Sequence, residues 1–186
     1  MEDRALSAAL SRNLDAAFEQ LVLEYQDRLY RFGLRLTGCR SDAEEIVQDA
    51  FVRAHRTLTG YSAQRLRDMS LRPWLYQITV NVFRNRVRRR QLPLVVLDGD
   101  PRAASETEQP ERAIELSELA QELSALLASL PPRHREAVAL RHIECLSYPE
   151  IALVLDQPEG TVKANVHRGL ATLRKALDEQ KSEARL

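Results

Sequence analysis

Arginines are concentrated at one point of the chain. In the stretch RPWLYQITVNVFRNRVRRR, arginine fills five of the seven positions from 84 to 90. The polar residues Gln77, Asn81, Arg84 and Arg88 are spaced so that they form one stripe along a helix. Guanidinium groups this close repel one another unless anions lie nearby, and their planar forks match the oxygens of phosphate. The stretch predicts a nucleic-acid contact; the alternative is a solvated helix end whose cations suit the helix dipole.

A second motif is typical of a helix-turn-helix. In LSYPEIALVLDQPEGTVKANVHRGL, a short helix is expected to end near Leu155, and after the turn DQPE a longer one begins near Pro158 or Glu159. The predicted buried stripe of this second helix is Val162, Val166, Leu170, Leu173 and Leu177. The residues predicted to face outward or to lie on the flanks are Thr161, Lys163, Ala164, Asn165, His167 and Arg168. Lys and Arg can reach phosphates or guanine, and Asn can pair with adenine. A generic helical hairpin is the alternative.

Motifs for catalysis and for cofactors are missing from the sequence. It has no G-x-x-x-x-G-K-[ST], no G-x-G-x-x-G and no H-E-x-x-H. His142 and Cys145 have the spacing of neighbours on a helix, but two ligands without a partner pair are too few for a metal site. We therefore predict a protein that is not an enzyme and that has no catalytic residue, no cofactor and no metal.

The elements that must position these motifs are helices. Apolar residues recur every three or four positions, and only six glycines interrupt them. We expect an all-α protein of two small helical domains joined by an extended acidic linker. The predicted bounds are 1–91 for the first domain, 92–112 for the linker, 113–180 for the second domain and 181–186 for a tail. The linker is rich in Pro, Ser, Thr, Asp and Glu.

Each domain has its own helix signals. In the first, a helix is expected over Asp15–Leu36, and Ser41–Glu44 reads as a capping box that starts a second helix. That helix should bury Ile46, Val47, Ala50, Phe51, Ala54 and Leu58 and expose Glu45, Gln48, Asp49, Val52 and Arg56. Residues 59–73 are expected to form a loop before a third helix. In the second domain, we expect helices over Pro110–Ser129, Pro132–Ile143 and Pro149–Leu155, the last with a capping box at Ser147–Glu150.

The net charge of zero conceals an uneven distribution. Residues 1–97 carry 16 arginines against 11 acidic residues, residues 98–112 carry 2 arginines against 5 acidic residues, and residues 113–186 carry 9 basic against 11 acidic residues.

No apolar run in the sequence approaches the roughly 18 residues of a membrane span. The N-terminus lacks the layout of a signal peptide, and the two cysteines form no C-x-x-C pair. We expect a cytoplasmic protein without a disulfide framework.

With both motifs in hand, the chain resembles a bacterial sigma factor of the extracytoplasmic-function (ECF) group, in the RNA polymerase sigma-70 family. SDAEEIVQDAFVRAHRTL is similar to the family's region 2.2, and the arginine-rich stretch is similar to regions 2.3 and 2.4. LPPRHREAVALRHIECLSYPEIALVLDQPEGTVKANVHRGLATLRKAL is similar to regions 4.1 and 4.2. The resemblance covers nearly the whole chain, with regions 2 and 4 only.

The resemblance implies a function and a set of site residues. The protein would bind core RNA polymerase, through the β′ clamp and the β flap, and direct it to promoters under a stress or envelope signal. The positions that match the clamp-docking face are Asp42, Glu45, Gln48, Asp49 and Val52. Those for the −10 element are Trp74, Gln77, Asn81, Arg84 and Arg88, beside the loop Tyr61–Arg72, which would hold a flipped base. Those for the −35 element are Thr161, Lys163, Ala164, Asn165, His167 and Arg168.

The resemblance also implies a regulator, and it has limits. Such proteins are often held by an anti-sigma factor, which would be the only link of this chain to a membrane. The family often has Ser-Arg where this chain has Ala164-Asn165, so the −35 sequence does not carry over.

Two other hypotheses about function compete with the sigma factor. One is a conventional helix-turn-helix regulator that acts without core polymerase, and the other is an adaptor that binds only helical proteins.

Overall fold

The computed structural model describes residues 2–91 and 118–183. The predicted linker and the last residues of the tail lie outside the described residues. Within that range every regular element is a helix, as expected for the fold class. The helices are α1 (Glu2–Arg12), α2 (Leu14–Thr37), α3 (Arg40–Leu58), α4 (Ala63–Asp68), α5 (Leu71–Gln91), α6 (Glu118–Ser129), α7 (Pro132–Val138), a π-helix (Ala139–Ile143), α8 (Tyr148–Leu155) and α9 (Glu159–Glu183). We call α1–α5 the N-terminal bundle and α6–α9 the C-terminal bundle.

The N-terminal bundle is built around α2, α3 and α5. The predicted apolar face of α3 is confirmed, because all six of its residues are buried. Phe32 of α2 and Tyr76 of α5 meet edge to face at the centre, with ring centroids 5.0 Å apart. Gly33 of α2 faces α3, where a Cβ would make an ordinary contact with Ala43 at 3.5 Å. Burial of these aromatic and aliphatic side chains is the main stabilising contribution.

The sequence analysis missed one helix of this bundle and was wrong on two local features. The helix α1 was not predicted, although Leu6 and Leu10 are buried against the core. The segment expected to be a loop contains α4, which begins at the N-cap Ser62 and buries Leu66. The N-cap of α3 is Cys39, so Ser41 does not start a capping box. A capping box needs an extended residue before the first turn, whereas Ser41 already lies inside the helix.

In the C-terminal bundle, the start and the end of α8 agree with the prediction from the sequence. The capping box at Ser147 and Glu150 is present, and α8 ends at Asp156, whose φ of 52° is the left-handed geometry that Asp tolerates. The helix from Pro132 is regular only to Val138 and then widens into the π-helix, which the spacing did not predict. After it, Cys145 takes a φ of 55°. The chain therefore turns sharply just beyond Glu144.

The buried face of α9 differs from the predicted stripe. Val162 and Val166 are buried, but Leu170 is 40% exposed and Leu177 is 41% exposed. Gly169 takes the next position of the face and packs against α7, because a Cβ there would lie 2.6 Å from Val138 Cγ2. The buried face of α9 therefore includes Asn165 and Gly169 instead of Leu170. A glycine leaves no apolar signal in the sequence, which is why the stripe was assigned to the leucines.

The two bundles pack against each other within the described residues. One cluster of buried apolar residues contains Leu75 and Val80 of α5 together with Ile151 and Val154 of α8. The guanidinium of Arg135 in α7 donates to the backbone carbonyls of Leu36 and Ala128, and so joins α2, α6 and α7. This packing places α8 directly over one side of α5.

Gly169→Ala should destabilise the C-terminal bundle by about 1–3 kcal/mol, because the added methyl group overlaps Val138. Urea unfolding followed by circular dichroism measures the change. Gly160→Ala is the matched control in the same helix, since among the described residues nothing lies within 4 Å of the Cβ position there. Equal stability of the Gly169→Ala variant and the wild type would contradict the close approach of α7 and α9.

Candidate nucleic-acid interface

The polar stripe of α5 is partly covered by the C-terminal bundle. Gln77 Nε2 donates to the carbonyl of Leu153 at 3.0 Å. The guanidinium of Arg84 donates to both oxygens of Glu136, with Nη2 to Oε2 at 2.7 Å, and Nη1 reaches the carbonyl of Leu155 at 3.3 Å. Asn81 and Arg88 are exposed. Two of the four stripe residues are therefore open to a ligand in this structure and two are engaged.

The pair between Arg84 and Glu136 joins the two bundles by charge. Glu136 is 1% exposed, so its carboxylate has lost almost all contact with water. A buried charge of this kind is tolerated only when donors replace the lost solvent. Arg84 supplies both hydrogen bonds and the opposite charge. The geometry is the bidentate fork that arginine also offers to phosphate, so Glu136 occupies the position that a phosphate could take.

A second acidic residue of the C-terminal bundle is inserted among polar groups of the N-terminal bundle. Glu144 accepts a hydrogen bond from the Tyr76 hydroxyl and lies 3.5 Å from the guanidinium of Arg35. Arg72 donates to its backbone carbonyl. Burial, followed by the nearby charge of Glu144, raises the pKa of Tyr76, which therefore stays protonated as a donor. The π-helix and the left-handed Cys145 bring Glu144 to this point.

Two arginines at the basic end of α5 pair with carboxylates of the protein itself. Arg86 donates to Asp42 at 2.9 Å and also pairs with Glu45. These two carboxylates raise the pKa of Arg86, and the hydrogen bond that Arg86 donates to Glu45 has the largest effect. The side chains of Arg84 and Arg86 thus have carboxylate partners, which corrects the expectation that this cluster needs external anions throughout. The side chain of Arg90 lies outside the described residues.

The candidate docking face on α3 is mostly open. Glu45, Gln48, Asp49 and Val52 are exposed, and Val52 has 49% of its surface accessible. Asp42 is the exception, because it is 7% exposed and bound to Arg86. Its position in the first turn of α3, facing α5, explains this burial. The expectation that Asp42 is part of the docking surface is therefore corrected. In this structure its carboxylate binds Arg86 and so holds α5 beside the exposed face of α3.

The outward face of α9 agrees with the helical wheel except at one residue. Thr161, Lys163, His167 and Arg168 are exposed, and Ala164 is half-buried. Asn165 is 6% exposed, and its amide donates to Gln157 Oε1 at 3.2 Å. The prediction that Asn165 lies on an accessible flank was wrong, because the buried face of α9 turns towards it. In this structure Asn165 ties the turn to α9.

The segment that was predicted to hold a flipped base also has more structure than expected. Trp74 is half-buried at the start of α5, and its ring centroid lies 6.3 Å from that of Tyr61. The guanidinium of Arg65 lies 3.7 Å from the Tyr61 ring centroid, in cation–π contact. Aromatic rings and a guanidinium are groups on which an unstacked base can stack. The short helix α4 holds them on one side of the N-terminal bundle.

Sequence reasoning missed the residues that join the bundles. Glu136, Glu144, Arg35, Arg72 and Arg135 all take part in contacts between helices of different bundles. One signal in the sequence could have identified Glu136 and Glu144. Each of these acids stands at a position where the spacing of the neighbouring apolar residues predicts a buried side chain, Glu136 in REAVAL and Glu144 in HIEC. A buried acid needs a cation, and the arginines of α2 and α5 were available.

Two further findings concern the described residues alone. In that part of the chain, no helix is both long and apolar enough to cross a bilayer. Across the same residues, no group of three or more His, Cys, Asp or Glu side chains is arranged to hold a metal ion.

The fold and these surfaces define a helical DNA-binding protein with a helix-turn-helix in one bundle and an arginine-bearing helix in the other. A family model described as Sigma-70 region 2 matches residues 21–92, and one described as Sigma-70, region 4 matches residues 120–173. The chain belongs to the ECF sigma factors of the RNA polymerase sigma-70 family.

Curated relatives support this assignment. The chain is 38% identical over 169 residues to the ECF RNA polymerase sigma factor SigE of Mycolicibacterium smegmatis, covering 90% of this chain and 64% of the relative. It is 32% identical to the ECF RNA polymerase sigma factor SigW of Bacillus subtilis, covering 87% of this chain and 89% of that protein. It is 31% identical to the RNA polymerase sigma-H factor of Pseudomonas aeruginosa, covering 98% and 97%. The chain thus spans less than two thirds of the mycobacterial relative but nearly all of the last.

Solved structures agree on the fold. CnrH in complex with the cytosolic domain of CnrY gives a TM-score of 0.69 at 24% identity, covering 96% of this chain and 99% of that one. The sigma factor RpoE of Bartonella quintana, in complex with the anti-sigma factor NepR, gives 0.64 at 23% identity, covering 87% and 96%. Because each alignment spans nearly the whole of the solved chain, the likeness includes both helical bundles.

Glu136→Gln should weaken the contact between the bundles by about 1.5–3 kcal/mol, because it removes a charged hydrogen-bonding partner of Arg84. Small-angle X-ray scattering should show a larger radius of gyration, and urea unfolding a lower midpoint. Glu159→Gln is the control, since Glu159 pairs with Lys163 inside the exposed part of one helix. A radius of gyration unchanged from wild type would contradict the role assigned to Glu136.

Proposed function

We propose that this chain is a promoter-specificity subunit that binds core RNA polymerase and directs transcription initiation. The observation that carries the proposal is the presence, on one chain, of an open mixed face on α3 and an open basic face on α9. The first combines Gln48, Asp49 and Val52, as a protein-docking surface requires. The second offers Lys163 and Arg168 at the start of a long helix, as major-groove binding requires. The protein acts without enzymatic chemistry of its own and works in the cytoplasm.

Promoter binding then requires the bundles to separate. The −10 strand is assigned to Trp74, Gln77, Asn81, Arg84 and Arg88, of which Gln77 and Arg84 are engaged by the C-terminal bundle. The described structure is therefore a closed form, and the active form exposes the whole stripe. Core polymerase would favour the open form by binding the two bundles at separate places. The bounds 1–91 and 113–180 are our proposal for the two units that move.

An anti-sigma factor is the regulator that we propose. RpoE of Bartonella quintana, a protein of the same fold, is solved with one bound. A partner that holds the closed form would keep Gln77 and Arg84 covered and so prevent −10 binding.

A conventional helix-turn-helix regulator is the second candidate, favoured by the exposed basic face of α9. It predicts sequence-specific binding to duplex DNA by the chain alone. A run-off transcription assay with core polymerase, with and without this chain, separates the two. Initiation from promoters of the source genome that depends on the chain supports the sigma factor. Tight duplex binding alone, with no such initiation, supports the regulator.

Lys163→Ala combined with Arg168→Ala should lower initiation from −35-dependent promoters by roughly tenfold or more, because each side chain can contact phosphate or guanine. Run-off transcription measures this effect, and binding to core polymerase should stay unchanged. The control is Arg174→Ala with Lys175→Ala, which removes the same two charges from exposed positions further along α9. Loss of core binding in the first double variant would refute the assignment to DNA.

Asp49→Arg should have the reverse effect. Asp49 is exposed at the centre of the α3 face, so a reversed charge should weaken core binding without disturbing the fold. Competition for core polymerase against a labelled wild-type chain measures the affinity. Glu19→Arg, at an exposed acidic position of α2, is the control. Unchanged competition by the Asp49→Arg chain would remove α3 from the docking surface.

A further inference from the structure

A polar cavity lies where the two bundles meet, and of the residues assigned to a DNA or polymerase surface above it includes only Arg72, the last residue of the loop Tyr61–Arg72. Its volume is about 430 Å³, and it is lined by Arg28, Arg31, Arg35, Arg72, Ile143 and Glu144. Three of the arginines follow one face of α2 and the fourth begins α5, so the N-terminal bundle supplies every cation. The C-terminal bundle closes the cavity with Ile143 and Glu144. We call this cavity the arginine pocket.

The charges of the arginine pocket do not balance. Four guanidinium groups face one carboxylate, a net charge of +3. Glu144 is occupied by Arg35 and by the Tyr76 hydroxyl. Among the described residues, Arg28 and Arg31 have no carboxylate within ion-pair distance. Two cations of the pocket thus remain without an anion.

Like charges are also crowded along the α2 wall of the pocket. Burial, together with the repulsion of Arg31, lowers the pKa of Arg35, an effect that Glu144 only partly offsets. Clustered like charges are relieved by a bound anion. The guanidinium forks favour an oxyanion with several oxygens, and phosphate fits them best.

We propose that the arginine pocket binds a small ligand with two or more phosphate groups. The cavity falls within the range of about 300–1,000 Å³ that small-molecule sites occupy. A nucleic-acid strand is the less suitable occupant. The pocket exists only while Ile143 and Glu144 lie against the N-terminal bundle, and in that arrangement Gln77 and Arg84 are covered.

The site does not depend on the proposed function, because its cations all belong to α2 and α5. Glu144 already holds Arg35, so a phosphate in the pocket would compete with this carboxylate for one guanidinium and would be bound chiefly by Arg28, Arg31 and Arg72.

Isothermal titration of the full chain with sodium pyrophosphate, at low salt and constant ionic strength, tests the site. We expect saturable binding of one pyrophosphate and an affinity reduced roughly tenfold or more in Arg31→Gln, since one charged fork is lost. Arg174→Gln removes the same charge from an exposed site outside the pocket and should bind as wild type. Thermal melting of the unliganded variants checks that Arg31→Gln is folded.

Three results would overturn the proposal. The first is no saturable binding to the wild type at millimolar pyrophosphate. The second is the same affinity for the Arg31→Gln and Arg174→Gln chains, which would mean that only overall charge is sensed. The third is displacement of pyrophosphate by a single-stranded oligonucleotide whose own affinity falls in Arg31→Gln, which would assign the pocket to nucleic acid. If Arg31→Gln does not fold, Arg28→Gln, at an exposed position of the same wall, takes its place.

Discussion

A carboxylate that is 1% exposed has lost its water, and Arg84 supplies both the cation and the donors that replace this water around Glu136. The rest of the structure depends on this pair, because it connects the helix with the arginine stripe to the bundle with the helix-turn-helix. Glu144 repeats the arrangement with Arg35 and Tyr76. The closed form is thus held by two acids of one bundle among the basic groups of the other, over a shared apolar contact.

The same pairs divide the surface into open and covered parts. The α3 face and the outward side of α9 are accessible in the closed form, whereas the α5 stripe is only half accessible. In the function proposed above, a chain in this state would meet core polymerase through α3 before it holds a DNA strand along α5. The order of binding events would then follow from which side chains are engaged.

Much of this could be predicted from the sequence. The long helices, the buried face of α3 and the turn before α9 follow from apolar spacing, a capping box and Asp156, which are all local signals. Some local signals failed as well, at α1, at α4 and at Ser41, and the remaining failures depended on neighbours distant in sequence. Asn165 is buried because Gly169 lets α7 approach, and a glycine carries no hydrophobic signal. The ion pairs of Asp42 and Arg84 were not predicted, since nothing local shows which acid will meet which arginine.

The exchange of partners proposed at Arg84 would have a consequence for ionic strength. Proteins that bind DNA release condensed counterions for each phosphate that they neutralise, and this release sets the salt slope of binding. If Arg84 exchanges Glu136 for a phosphate, one ion pair replaces another, and a cation then accompanies the vacated carboxylate. The counterion gain at the phosphate would be offset at the protein. A count of the basic residues on the stripe would therefore exceed the number of ions that a salt titration reports.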